Sequence, residues 1–159
     1  MVDISRISAN SDPVLPVIRK IGTMIFDPVW GERSHEASWH EWLYVLEGHL
    51  TLVTEGQTWE AGPGDTLLVP RQTQHRDEFS LERSFRVFIL FFTWPAAPDF
   101  PTLATNDVLR SMPDWSRTEL TKLFSQMQVN PPGETESQRL YIRSLLHSAL
   151  LLVVAAGES

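Results

Sequence analysis

The chain changes its period once, near Trp94, and that change limits what it can fold into more than any other feature. From about Val17 to Phe92 the text consists of short apolar runs bounded by Gly, Pro and acidic turn residues, the pattern of an all-β domain. Beyond prolines 95, 98 and 101 the apolar residues recur at three- and four-residue spacing, the pattern of helices packed on one face. At 159 residues and 42% hydrophobic content, the chain has material for one sizeable core and an appendage.

Within the β half, "EWLYVLEGHLTLVTEGQTWEA" predicts two runs meeting in a hairpin at Glu47-Gly48, then a second turn at Glu55-Gly56. A Gly-Pro-Gly-Asp turn introduces Thr66 to Val69. The run Phe85 to Phe92 is apolar on both faces apart from Arg86, so it belongs between two packed layers.

The helical half predicts a first helix from about Asp114 to Val129, with Trp115, Leu120, Leu123, Phe124 and Met127 on one stripe. Asn130 to Gly133 ends it. Thr135 with Gln138 reads as a capping box, and Leu140 to Ala156 continues as a second helix with Leu145, Leu146, Leu150 and Val153 among its apolar positions. This helix becomes apolar nearly all round toward its end, which calls for a cover. The expected layout is therefore a flexible arm at 1–16, a β-barrel at 17–94, a Pro-rich connector at 95–113 and an antiparallel helical hairpin at 114–156.

Composition excludes several functions. A chain without cysteine has no disulfide and no thiolate chemistry, and its start lacks the pattern of a secretory signal, so a cytoplasmic location is expected. A formal charge of -7 without any Lys/Arg cluster argues against direct DNA binding. The most apolar stretch, Leu145 to Ala156, falls below the roughly 20 residues of a membrane span. Phosphate loops, nucleophile elbows and HExxH helices are absent, which points to a binding protein rather than an enzyme.

The segments His35 to Gly48 and Gly64 to His75 resemble the two sequence motifs of the cupin superfamily. His35, Glu41 and Gly48 occupy motif positions in the first, with Ala37 where the family writes a second histidine. Gly64, Pro70 and His75 do so in the second, with Gln72 in place of a glycine. The fold that this implies is a mainly β cupin barrel followed by the two helices. In a strand, residues an even number apart share a face, so His35 and Glu41 can meet His75 in the barrel interior.

Two imidazoles and a carboxylate suit a divalent metal such as Fe, Mn, Ni or Zn, but with Ala37 in place of a fourth ligand the same three side chains read first as a hydrogen-bonded pocket lining. Trp39 and Arg86 join them as effector-pocket candidates, Arg86 either reaching the rim or holding the carboxylate or phosphate of an effector. His40, one residue out of phase with Glu41, is expected on the opposite face.

The order of arm, barrel, connector and helices further resembles the N-terminal domain of AraC-family transcription regulators. The resemblance implies a barrel that binds a small organic effector, a homodimer formed through the helices, and DNA recognition by a helix-turn-helix domain outside this chain. The dimer stripe expected on that basis comprises Leu120, Leu123, Phe124, Met127, Leu145, Leu146, Leu150 and Val153. A stand-alone metal-dependent cupin enzyme, a dioxygenase or an isomerase, is the competing reading.

Overall fold

A computed structural model describes residues 13–25, 34–36, 38–54, 56–79, 84–129 and 135–159, with 34–36 and 76–79 as backbone only. The chain forms two compact units: residues 19–92, and residues 93–159 together with the segment leading into the first strand. Most of the expected arm, and Asn130 to Gly133, lie outside the described residues.

The first unit is built from β1 (Val17–Ile25), β2 (Ser34–Glu36), β3 (His40–Glu47), β4 (Leu50–Thr54), β5 (Gln57–Ala61), β6 (Thr66–Val69), β7 (Gln74–Phe79) and β8 (Arg86–Thr93). They form two four-stranded sheets, in the orders β1-β8-β3-β6 and β2-β7-β4-β5. Between the sheets lies a core of Leu43, Val45, Leu50, Leu52, Ala61, Leu67, Val69, Phe85, Val87 and Ile89. Alternation accounts for this list: odd positions of β3, β6 and β8 and even positions of β4 share the inner face. The outer positions Trp42, Leu68, Phe88, Leu90 and Phe92 are buried too, as the apolar run of β8 led us to expect.

The expected hairpin at Glu47-Gly48 is corrected by this topology. Strands β3 and β4 belong to different sheets, so the turn carries the chain from one layer to the other. Gly48 makes the crossing with φ +89°, and a Cβ there would lie 2.6 Å from the Ser84 carbonyl oxygen. The neighbouring β4–β5 pair is a true hairpin, in register from Leu50↔Ala61 to Thr54↔Gln57. The Gly-Pro-Gly-Asp turn closes as expected, with the Gly62 N–H donating to the Asp65 carboxylate at 2.9 Å.

In the second unit the connector is not structureless. A 3₁₀ turn at Phe100–Thr102 has proline in its first turn, where a missing N–H costs nothing. Helix α1 (Asn106–Ser111) is capped by the Thr105 side chain, which accepts from the Val108 N–H. The described residues of the helical appendage thus hold three helices, not two. Helices α2 (Asp114–Val129) and α3 (Glu136–Glu158) pack against each other. The capping box of α3 is complete: Thr135 Oγ1 accepts from the Gln138 N–H and Gln138 Oε1 from the Thr135 N–H, each at 3.2 Å.

The expected dimer stripe needs a correction. Leu120, Phe124, Met127, Leu145, Leu146, Leu150 and Val153 are buried within the single chain and Leu123 is half-buried, so these residues form the interior of the helical unit. Trp115 leaves the stripe and is exposed. What remains outward on α3 includes Tyr141 and Leu151, 48% and 47% exposed. By length and composition α3 is apolar enough to cross a membrane, which the shorter stretch from Leu145 had excluded, yet six of its residues are spent on packing inside the chain.

The segment entering β1 is held by side chains of the same unit. The Trp94 indole donates to the Val14 carbonyl at 2.9 Å, and the Arg143 guanidinium donates to the carbonyls of Pro16 and Leu15 at 2.8 and 3.3 Å. Residues expected to belong to a mobile arm are therefore fixed from Val14 onward.

Candidate functional site

Four strand pairings bring the polar interior residues to one end of the barrel. Glu41 on β3 is flanked by Val69 on β6 and Phe91 on β8. Across the interior, His75 on β7 is paired with Thr54 on one side and with His35 on the other. Glu41 and His75 meet, with Nε2 of the imidazole 3.4 Å from Oε2 of the carboxylate. The His75 side chain is fully buried, whereas Glu41 keeps 12% of its side-chain surface exposed. For His35 the backbone register alone is described, and it sets His35 opposite His75.

The hydrogen-bond chemistry of this pair is constrained. His75 Nδ1 lies 3.3 Å from the Thr73 carbonyl oxygen, which can only accept, and Nε2 faces a carboxylate. Both ring nitrogens thus look at acceptors. An imidazolium satisfies both, and so does a neutral ring beside a protonated carboxyl; a neutral ring beside a carboxylate leaves one contact repulsive.

The remaining candidates separate. Trp39, 41% exposed, stands at the lip of this end, its ring 6.3 Å from that of Phe91. Phe91, Trp59 and Met24 are partly buried and pack on the interior core. Once Val87 and Ile89 are known to face inward, strict alternation in β8 assigns Phe91 to the same face.

Arg86 does not join the site. It pairs in register with Glu47 at the opposite end of β8, its Nε 3.9 Å from Glu47 Oε2 with both side chains about half exposed. Five residues of strand, about 16 Å, separate it from Phe91. The expectation that Arg86 anchors an anionic effector inside the barrel is therefore replaced by its rim alternative.

His40 faces away from Glu41, as its offset requires. Its Nδ1 accepts from the Arg71 N–H at 3.0 Å and its ring lies 5.4 Å from that of Phe92. Burial, reinforced by the Arg71 charge, lowers its pKa to about 4. Two further histidines lie elsewhere: His49 beside Gly62, and His147 on α3 edge-on to Trp94, its pKa lowered by burial.

Among the described residues no group of three His, Asp or Glu side chains is disposed to hold a metal. Glu41 and His75 offer two donors of suitable chemistry, and His35 occupies the register position of a third.

Residues 22–87, which include both Glu41 and His75, match the family described as Cupin domain. The barrel has the cupin fold. Solved structures similar to the chain include the Clostridium difficile EutQ protein, at 22% identity and a TM-score of 0.38 over 48% of this chain and 56% of that one. A cupin family protein with a double-stranded β-helix fold from Methanocaldococcus jannaschii is similar at 16% identity and a TM-score of 0.40, over 52% of this chain and 84% of that one. The cupin domain of Schizosaccharomyces pombe Cnp3 is similar at 12% identity and a TM-score of 0.40, over 46% and 54%. The chain thus spans little more than half the length of the EutQ protein it matches. Comparison with curated proteins gives no match. At Gln72, where the cupin motif has glycine, φ is +64°, in the left-handed region that favours glycine.

Proposed function

We propose that this chain is the effector-binding and dimerisation domain of an AraC-family transcription regulator, with DNA read by a helix-turn-helix domain outside these 159 residues. The observation that supports it best is the sequel to the cupin barrel: a capped helical pair whose longer member is packed on one face and still presents Tyr141 and Leu151 outward. A second copy of the chain is the proposed cover for that outer face, in place of the buried stripe. The effector is a small organic molecule held at the Glu41 end of the barrel, beside His75, Trp39 and Phe91. Regulation then needs only that the effector favour one arrangement of the parts over another, by about 1–3 kcal/mol.

Light scattering coupled to size exclusion tests the dimer. A concentration-dependent dimer, weakened by Leu151→Glu without loss of helical signal, is expected; a monomer at every concentration overturns the dimerisation role. A thermal-shift screen with small metabolites tests the pocket, since a ligand specific for the folded state raises the midpoint.

The contact between Glu41 and His75, with His35 opposite His75 in register, supports a second reading as a metal-dependent cupin enzyme. A divalent ion held there would supply Lewis-acid or redox chemistry. Protein purified without chelator and carrying near-stoichiometric iron, manganese, nickel or zinc, lost in His75→Ala, would favour it over the sensor.

A further inference from the structure

Three consecutive carbonyls ahead of the first strand accept hydrogen bonds from side chains of the helical unit. The Val14 carbonyl accepts from the Trp94 indole at 2.9 Å, and those of Leu15 and Pro16 accept from Nη2 and Nε of Arg143 at 3.3 and 2.8 Å. We propose that this clasp is the latch of a strap: β1, the strand that runs on from Pro16, is a detachable wall of the barrel, and Arg143 with Trp94 holds it in place. The inference goes beyond the reading of the barrel as an effector pocket and stands without it.

The clasp is a built feature. Leu15 and Pro16 are buried, so the segment is seated by its side chains as well as by its backbone. Trp94 is buried too, its ring 5.5 Å from that of Phe100 and 5.5 Å from that of His147, and packing on these two rings fixes the direction of its N–H. The Arg143 guanidinium presents two donors in a rigid fork to two successive carbonyls, and both bonds are assisted by its charge.

The strand that follows has little else to hold it. Among the described strands β1 stands at the edge of its sheet, next to β8. Its nine residues are half-buried or exposed throughout, whereas β8 is mostly buried. Arg19 and Lys20 are exposed, and Gly22 adds no side chain to the packing. A strand paired on one side, with few buried contacts, lies at the low end of local stability. Such a strand opens before its neighbours do, and the anchor at its start sets how often.

Opening has a defined consequence inside the barrel. Met24, near the end of β1, packs against the interior core beside the partly buried Phe91 and Trp59. Lifting β1 withdraws Met24 and uncovers that apolar interior, while the pairings of β3 with β6 and β8 stay intact. Arg143 is thus a positioning residue, acting on the barrel wall through the chain from Pro16 onward.

Hydrogen exchange followed by mass spectrometry on the full chain reads the latch. Amides of residues 17–25 are expected to exchange about tenfold faster than those of β3 and β8. Arg143→Met keeps an unbranched apolar stem and removes both donors; it should speed exchange at 17–25 by about another tenfold and leave β3 and β8 within about twofold. Trp94→Phe keeps a ring and removes one donor, so it should act several-fold on the same segment, and it carries the test if Arg143→Met does not fold. The chain has no cysteine, which permits a second readout. The thiol of Met24→Cys should be labelled about tenfold faster once Arg143→Met is added, whereas that of Leu52→Cys, at a fully buried position of β4, should keep its rate. Exchange at 17–25 unchanged in both variants would show that the clasp restrains nothing that moves, and a rise spread evenly over all strands would show that it stabilises the chain as a whole; either result overturns the proposal.

Discussion

His75 Nε2 lies 3.4 Å from Glu41 Oε2 inside the barrel, joining a strand of one sheet to a strand of the other through the only two ionisable side chains buried on the inner face among the described residues. Such a cross-layer contact orients both groups, yet it is not itself a large source of stability, because desolvation of the pair offsets much of the attraction. Removing one partner is another matter. His75→Ala is expected to destabilise the fold by about 2–4 kcal/mol, through the cavity left by a fully buried ring and the loss of the carboxylate's contact. Urea denaturation followed by tryptophan fluorescence measures it, and a loss below about 0.5 kcal/mol would show that the ring is not packed as described.

Gly48 and Gly56 share a left-handed backbone, φ +89° and +82°, and differ in their surroundings. At Gly48 a Cβ meets the Ser84 carbonyl oxygen at 2.6 Å and the Phe85 Cα at 3.1 Å, whereas at Gly56 nothing lies within 4 Å. Alanine at Gly56 should therefore cost only the conformational term, about 1 kcal/mol. Alanine at Gly48 adds a clash with backbone, and about 3 kcal/mol in total is expected. Equal costs in the two variants would contradict the sheet crossing at Glu47-Gly48.

That crossing also shows where the sequence stops being legible. The strands themselves can be read from alternation and from turn residues, and the motif positions correctly bring Glu41 and His75 together. A Glu-Gly turn between two apolar runs is written the same way for a hairpin as for a passage between layers, because local chemistry sets the turn while the long-range pairing of β3 with β8 sets the partner. The apolar stripe from Leu120 to Val153 was equally visible, but periodicity says only that one face is covered. Whether α2 and α3 cover each other or a second chain does so is decided by packing. Arg86 illustrates the same limit: its position in an apolar strand is plain, while its place at the strand's first residue, beside Glu47, depends on register.

Gln72 stands where the cupin motif has glycine, and it holds φ +64° on an exposed turn three residues before His75. A side chain in the left-handed region costs about 1–2 kcal/mol, partly offset by the lower unfolded-state entropy of a non-glycine residue. Gln72→Gly should therefore raise stability by up to about 1 kcal/mol, visible as a higher urea midpoint at unchanged slope. A lower midpoint would mean that the glutamine side chain contributes contacts that outweigh its backbone strain.

His40 makes the stability of the barrel depend on pH, and the direction follows from its surroundings. Its Nδ1 accepts the Arg71 N–H and so must be unprotonated in the folded state, while burial and the Arg71 charge hold its pKa at about 4, below the 6.5 of an unfolded histidine. Between these values the unfolded chain binds the extra proton and the folded chain does not. Stability from this group is therefore fully present above about pH 6.5 and is lost as pH falls toward 4, by on the order of 2–3 kcal/mol at about 1.4 kcal/mol per pKa unit. His147, its pKa lowered by burial beside Trp94, loses stability in the same direction. The His40 share is isolated with His40→Asn, whose side-chain oxygen can still accept the Arg71 N–H but does not titrate. Urea midpoints measured from pH 7.5 to 4.5 should fall more steeply in the unsubstituted chain than in the variant. Parallel curves would show that His40 is protonated in the folded barrel, in conflict with the bond from Arg71.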